Sequence, residues 1–98
     1  MEIAYKNNHI QKVCTVAEAA KRSYGKAMAI KIFLRINQIR AADSVEFLVR
    51  YGIGRCHPLT GARKGQFAMD LEHPYRLVFE RNGEDVQIAM ISEIVDYH

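Results

Sequence analysis

Between residues 9 and 24 the apolar positions recur every third or fourth residue. In "HIQKVCTVAEAAKRSY" they are Val13, Val16, Ala17, Ala20 and Tyr24, the spacing of one face of an amphipathic helix. Asn7 and Asn8 stand before it as caps, since a short side-chain oxygen can accept from the free N–H groups of a first turn. Gly25 follows Lys21 and Arg22, the order of a helix stop. "KAMAIKIFLRINQIRAA" repeats the pattern with Met28, Ile32, Ile36 and Ile39, and sets Lys31 and Arg35 on another face. "DSVEFLVRYG" predicts one or two more helical turns. Asp43 or Ser44 would cap them, Glu46 stands at capping-box distance from Asp43, and Gly52 would close them. "MEIAY" reads as a short leading strand.

From residue 66 the period falls to two. "QFAMDL" places Phe67, Met69 and Leu71 on one face. "YRLVFER" places Tyr75, Leu77 and Phe79 on one face, with Arg76, Val78 and Glu80 on the other. "DVQIAMI" groups Val86, Ile88 and Met90. "EHP" is short enough for a tight connection, and Asn82-Gly83 is a hairpin signal because both residues tolerate positive φ. These segments predict an antiparallel meander with one apolar face, which the helices are available to cover. The expected fold class is therefore α+β and two-layer: two N-terminal helices on one face of an antiparallel sheet, the opposite face largely open. Between the halves lies "YGIGRCHPLTGARKG", a loop rich in glycine and cations beside that open face, where a binding site is expected.

Composition narrows the class. Ninety-eight residues make one small domain, 1–98, with 49% hydrophobic and 26% charged residues. No apolar run approaches the ~20 residues of a membrane span. The start has no basic segment leading into an apolar one, so no secretory leader is expected. Cys14 and Cys56 lack CxxC or metal-type spacing, which suits free thiols in the cytosol. The net charge is +3. Arg50, Arg55, Arg63, Lys64, Arg76 and Arg81 stand against Asp70, Glu72 and Glu80 in one stretch. Such a stretch either faces a polyanion or is a solvated basic loop.

The candidate chemistry lies in three places. His57 sits in the glycine loop, Arg76 on the non-core face of a strand, and Asp96, Tyr97 and His98 at the end of the chain. Each has an ordinary reading by itself: an exposed histidine, a surface arginine, a frayed tail. Together they supply what RNA phosphodiester cleavage needs. Histidines act as acid and base, a carboxylate orients an imidazole, and an arginine stabilises charge on phosphate oxygens. A tyrosine stacks on a base or donates a proton. His9, His57, His73 and His98 show no HxH or HExxH spacing, so no metal site is expected. No phosphate-binding or nucleophile-elbow motif is present either. Simple alternation from Val86 sets Asp96 and His98 on the core side, with Tyr97 opposite. A bulge near Ser92, or an early strand end, would change that.

"GRCHPLTGARKGQFAMDLEHPYRLVFER" followed by "EIVDYH" resembles the HigB-type toxins of the RelE/ParE superfamily, the host-killing halves of bacterial toxin–antitoxin pairs. The resemblance covers essentially the whole chain, and its second half carries the specific motifs. It implies a RelE/ParE-like fold and a ribosome-dependent, metal-independent mRNA endonuclease of the bacterial cytoplasm, using no cofactor. A HigA-type helix-turn-helix antitoxin would hold it inactive and link it to operator DNA; no membrane is involved. By motif, His57, Arg76, Asp96, Tyr97 and His98 match the catalytic set, and Arg63 and Lys64 match a basic pair that meets RNA or the ribosome; Arg55 is a further candidate for that contact. Thr60 replaces a lysine common in relatives, and "LEHPYR" departs from their usual strand connection. Two alternatives stay open: a non-enzymatic toxin that binds DNA gyrase, and an inactive module that serves as antitoxin partner or corepressor.

Overall fold

Every second residue of a strand faces one side of its sheet, so the buried positions identify the face that meets the helices. The computed structural model describes residues 1–97. A leading strand β1 (Glu2–Tyr5) is followed by helices α1 (Asn8–Thr15), α2 (Ala17–Tyr24), α3 (Lys26–Ala41) and α4 (Val45–Arg50). Four strands complete the fold: β2 (His57–Pro58), β3 (Gln66–Asp70), β4 (Tyr75–Asn82) and β5 (Ile88–Asp96). The sheet order is β1-β5-β4-β3-β2. β1 runs parallel to β5 while the other pairs are antiparallel, so the sheet is mixed rather than a pure meander.

The helical half differs from expectation first in its number of helices. The first periodic stretch is broken at Val16, whose backbone is extended, and its two halves become separate helices. The two long helices expected are therefore three, with α4 as a short fourth. The break leaves Val16 exposed and lets Val13, Cys14, Ala19 and Ala20 reach the core from two directions. The predicted caps are present. Asn7 Oδ1 accepts from Ile10 N at 2.9 Å, and Ser44 Oγ accepts from Phe47 N at 3.1 Å. Glu46 does not close a capping box on Asp43. It accepts instead from Gln87 Nε2 at 3.0 Å and Arg81 at 2.8 Å, while Gln87 Oε1 accepts from Val45 N at 2.8 Å. Buried Gln87 thus ties the first turn of α4 to the start of β5.

α3 behaves as its pattern predicts. Met28, Ile32, Ile36 and Ile39 are buried against Met69, Leu77, Phe79, Ala89 and Ile91 of the sheet. Ile32 and Ile39 are fully buried, and each such side chain contributes roughly 1.5–3 kcal/mol. β3 and β4 have the expected phase. β5 does not. Its core residues are Ala89 and Ile91, while Ile88 and Met90 face the other side and Val86 is exposed in the preceding loop. That loop spans 83–87, longer than the tight hairpin expected. Gly83, at φ +83°, is required there because a Cβ would lie 2.3 Å from the Val86 carbonyl oxygen.

β5 then carries a bulge. Val78 pairs with Glu93 but Phe79 pairs with Ile91, leaving Ser92 as the extra residue. The buried Ser92 hydroxyl donates to the Val78 carbonyl at 3.0 Å, which satisfies that oxygen where the ladder is interrupted. The extra residue reverses the phase, so Ile94 returns to the core face. The other face is not open at its centre. Ala68 and Val78 are fully buried, and Arg63, in the turn Gly61–Arg63, reaches across this row to Glu93 and Gln66.

Burial pushes the Cys14 and Cys56 thiols up to about 12 from an ordinary value of 9.0. A pKa raised in the folded state means that stability from the buried, protonated thiols is complete below the unfolded value. It is lost as pH climbs from about 9 towards about 12. Native protein at pH 8 is therefore expected to resist iodoacetamide while urea-unfolded protein is alkylated at both sites, as read by mass spectrometry. The urea midpoint should fall between pH 9 and 12. Free-thiol labelling rates in the native protein would contradict this packing.

Candidate nucleic-acid site

The sheet register assembles the site at one end of the face away from the long helices. His57 pairs with Ala68, Ala68 with Val78, and Val78 with Glu93, so these four share a row. The next row is Asp70, Arg76 and Val95. Two residues along β3 separate the rows, about 7 Å by strand rise. Because of the bulge at Ser92, Tyr97 follows the parity of Glu93 and Val95, and its ring meets Arg76. The guanidinium carbon of Arg76 lies 4.9 Å from the ring centroid, within cation–π range. Tyr97 N also donates to the Pro74 carbonyl at 3.0 Å, which holds the chain end against the β3–β4 turn.

Asp70 is the acidic centre of this end. Its Oδ2 lies 3.2 Å from Arg55 Nε and its Oδ1 lies 3.3 Å from Arg76 Nε. Oδ1 is itself buried and makes no well-formed hydrogen bond, so ion pairing alone compensates it. The backbone carbonyl of Asp70 accepts from Arg35 Nε at 2.6 Å. Arg35, expected on a face other than the apolar one, is half-buried here. Burial lowers its pKa, and Asp70 partly restores it. Arg55, Asp70, His73, Pro74, Arg76 and Tyr97 line a cavity of about 110 Å³.

The backbone that presents Arg55 is strained. Gly52 and Gly54 are left-handed at φ +59° and +58°, and Arg55 follows at φ +55°. Arg55 is the one non-glycine residue with positive φ among the described residues. That conformation costs about 1–2 kcal/mol for a residue with a Cβ. The Arg55–Asp70 pair, with the arginine side chain 77% exposed, offsets at most about 1 kcal/mol. The arrangement therefore does not add to stability, and strain of this kind gathers where the position of a side chain matters.

The sequence-predicted residues fare differently. Arg76 and Tyr97 are in direct contact. His57 is half-buried in the neighbouring row, its Nδ1 2.8 Å from the Arg55 carbonyl oxygen. If Nδ1 carries the proton, it donates to that oxygen and leaves Nε2 as the free acceptor. Asp96 is exposed and pairs in register with Tyr75, whose ring packs edge-on against Tyr24 of α2 at 5.4 Å. It therefore lies on the helix-bearing side, away from Tyr97. Alternation from Val86 set it on that side too, but only because the wrong starting phase and the bulge at Ser92, one of the two ways considered for this strand to change face, cancel. His98 lies outside the described residues. Arg55 joins the cavity and Lys64 is exposed. Arg63 is engaged by Glu93, which raises its pKa through hydrogen bond and charge. Thr60 is exposed at the start of the Gly61–Arg63 turn.

Asp70, His73 and Glu93 escaped the sequence reading. A signal for Asp70 was present. Met69 and Leu71 face the core, so Asp70 shares the non-core face with Arg76, and a tight turn sets them side by side. Among the described residues, no three His, Cys, Asp or Glu side chains are grouped to hold a metal ion. Among the same residues, no helix is long and apolar enough to cross a membrane.

Solved structures that share this fold over the whole chain include two bacterial toxins. One is a YoeB/ParE toxin from Agrobacterium tumefaciens, with TM-score 0.65 and 17% identity over 100% of both chains. The other is the YoeB dimer from Staphylococcus aureus, with TM-score 0.64 and 20% identity over 100% of this chain and 97% of that one. No protein-family model and no curated sequence matches the chain. At these identities the likeness is one of fold: the chain has the α+β architecture of the YoeB/ParE toxins, helices on a five-stranded mixed sheet.

Gly54 provides a test of how this end of the sheet is built. A Cβ there would sit 2.7 Å from Arg35 Nε, and the backbone is left-handed. Gly54→Ala is expected to destabilise the protein by about 1–3 kcal/mol, read as a lowered urea midpoint. Gly52→Ala, with φ +59° but open space around it, should cost less. Equal losses would mean that the Arg35 contact contributes nothing.

Proposed function

We propose that the chain is the toxin of a toxin–antitoxin pair and acts as a ribosome-dependent mRNA endonuclease of the HigB type. The observation that carries this reading is the Arg76–Tyr97 contact, one row from His57, on a fold shared with YoeB/ParE toxins. In the reaction the 2′-hydroxyl oxygen of RNA attacks the adjacent phosphorus, and the bond to the 5′-oxygen breaks. The products are a 2′,3′-cyclic phosphate and a 5′-hydroxyl. A base takes the 2′-hydroxyl proton and an acid delivers one to the 5′-oxygen, roles assigned to His57 and His98. Arg76 neutralises the charge that grows on the phosphate oxygens. Tyr97 holds Arg76 by its ring face and is available to stack beside a base. Asp96 lies on the helix-bearing side and takes no part at the Arg76 phosphate itself; its proposed part is to orient His98.

Arg55 and Lys64 would meet RNA or ribosomal RNA backbone. Arg63, which is tied to Glu93, would do so only by exchanging that carboxylate for phosphate. A helix-turn-helix antitoxin of the HigA type is the proposed partner. Its operator complex would bring the toxin to DNA indirectly, with the pair residing in the bacterial cytoplasm.

Induced expression in bacteria tests the reading. Wild-type protein is expected to arrest growth and to give discrete mRNA cuts within codons by primer extension. His57→Ala, Tyr97→Ala and His98→Ala should each reduce cutting by about 10²–10⁴-fold and restore growth. Arrest with intact message and DNA damage would instead point to gyrase poisoning. Equal arrest by wild type and all three variants would remove the site assignment.

A further inference from the structure

We propose that Asp70 positions Arg55 and Arg76 as a two-guanidinium clamp for a phosphate group, and that His73 forms the third side of this anion site. The site is the cavity of about 110 Å³ at the β3–β4 turn. One carboxylate grips both arginines, each through Nε, at 3.2 and 3.3 Å. A guanidinium has five N–H donors in a fixed plane. Contact at Nε fixes that plane and leaves terminal N–H groups to offer to another anion. Phosphate takes such paired donors well.

Three further observations support a built site. Arg55 is delivered by a left-handed backbone at φ +55°, a conformation its own sequence does not favour. Arg76 is fixed on its other side by the Tyr97 ring. Asp70 is fixed from behind, because its backbone carbonyl receives Arg35 Nε at 2.6 Å. The formal charge of Arg55, Asp70 and Arg76 sums to +1. Asp70 is therefore a positioning residue that counters part of the charge it organises. The ligand class rests on the nuclease reading: it is the phosphodiester group of RNA, and the cavity would hold the phosphate beside or at the cleaved bond.

The sign of one substitution separates positioning from bulk charge. The full chain is titrated with inorganic phosphate and with adenosine 3′-monophosphate, by calorimetry and by following the His73 ring signals in NMR. No RNA or ribosome is present. Wild type should bind both probes with His73 shifting. Asp70→Asn removes a negative charge, so bulk electrostatics would tighten binding; the clamp requires it to weaken by about fivefold or more. Arg55→Gln should weaken it about tenfold, and Lys12→Gln, exposed on α1, should leave it within twofold. Unchanged or tighter binding by Asp70→Asn overturns the proposal, as does binding that leaves His73 unmoved. If Asp70→Asn fails to fold by circular dichroism, Arg55→Gln decides, since that side chain is largely exposed; undiminished binding there overturns the clamp. Correct binding signs without mRNA cleavage would overturn only the nuclease reading. Cleavage with the wrong sign at Asp70 would overturn only the clamp.

Discussion

The proposed site depends on one extra residue in β5. A strand has a side-chain period of two, and any inserted residue exchanges its faces from that point on. Ser92 is that residue. Before it, Ala89 and Ile91 face the helices; after it, Ile94 does, and Tyr97 follows Glu93 and Val95 to the side where Arg76 lies. Without the bulge, Ile94 would leave the core and Tyr97 would leave Arg76. The Ser92 hydroxyl donates to the Val78 carbonyl and so limits the cost of the irregularity. Core packing and site geometry are thus specified by the same local feature.

Charge is arranged around that geometry by two carboxylates. Glu93 holds Arg63 over the buried row of Ala68 and Val78, and Gln66 shares the same arginine. Asp70 holds Arg55 and Arg76 at the sheet's end. None of these pairs is buried deeply enough to add much stability. What they do is select orientations for long, flexible cations. A basic loop with unpaired arginines would attract RNA without directing it. Here the arginines nearest the candidate site are held by named acids. The exposed Lys64 stands on the outer part of the loop.

The helical layer contributes to the site from behind. Arg35 of α3 reaches the backbone of Asp70 and lies against Gly54, where a Cβ would force the arginine to shift. Gln87 and Glu46 fasten α4, which leads directly into the turn bearing Arg55. The path from the core to the cavity is therefore short: a buried helix face, one half-buried arginine, and the end of β3.

Much of this was legible in the chain itself. The three-and-four spacing of Met28, Ile32, Ile36 and Ile39 determined a helix and its buried face. Alternation determined the faces of β3 and β4, and with them the non-core position of Arg76. The Asn7 and Ser44 caps were legible because capping depends on a few adjacent atoms. The break at Val16, the phase of β5 and the pairing of β1 with β5 were not, and the bulge near Ser92 was legible only as one of two ways the strand could change face. Each is settled by packing between segments distant in sequence: Ile88 and Met90 are as apolar as Ala89 and Ile91, and only the shape of the helix layer chooses between them. The clamp on Asp70 belongs to the same class. Its three residues stand at 55, 70 and 76, and a left-handed backbone and a sheet register bring them together. Sequence supplied the chemical groups of the proposed site, and tertiary structure decided which of them meet.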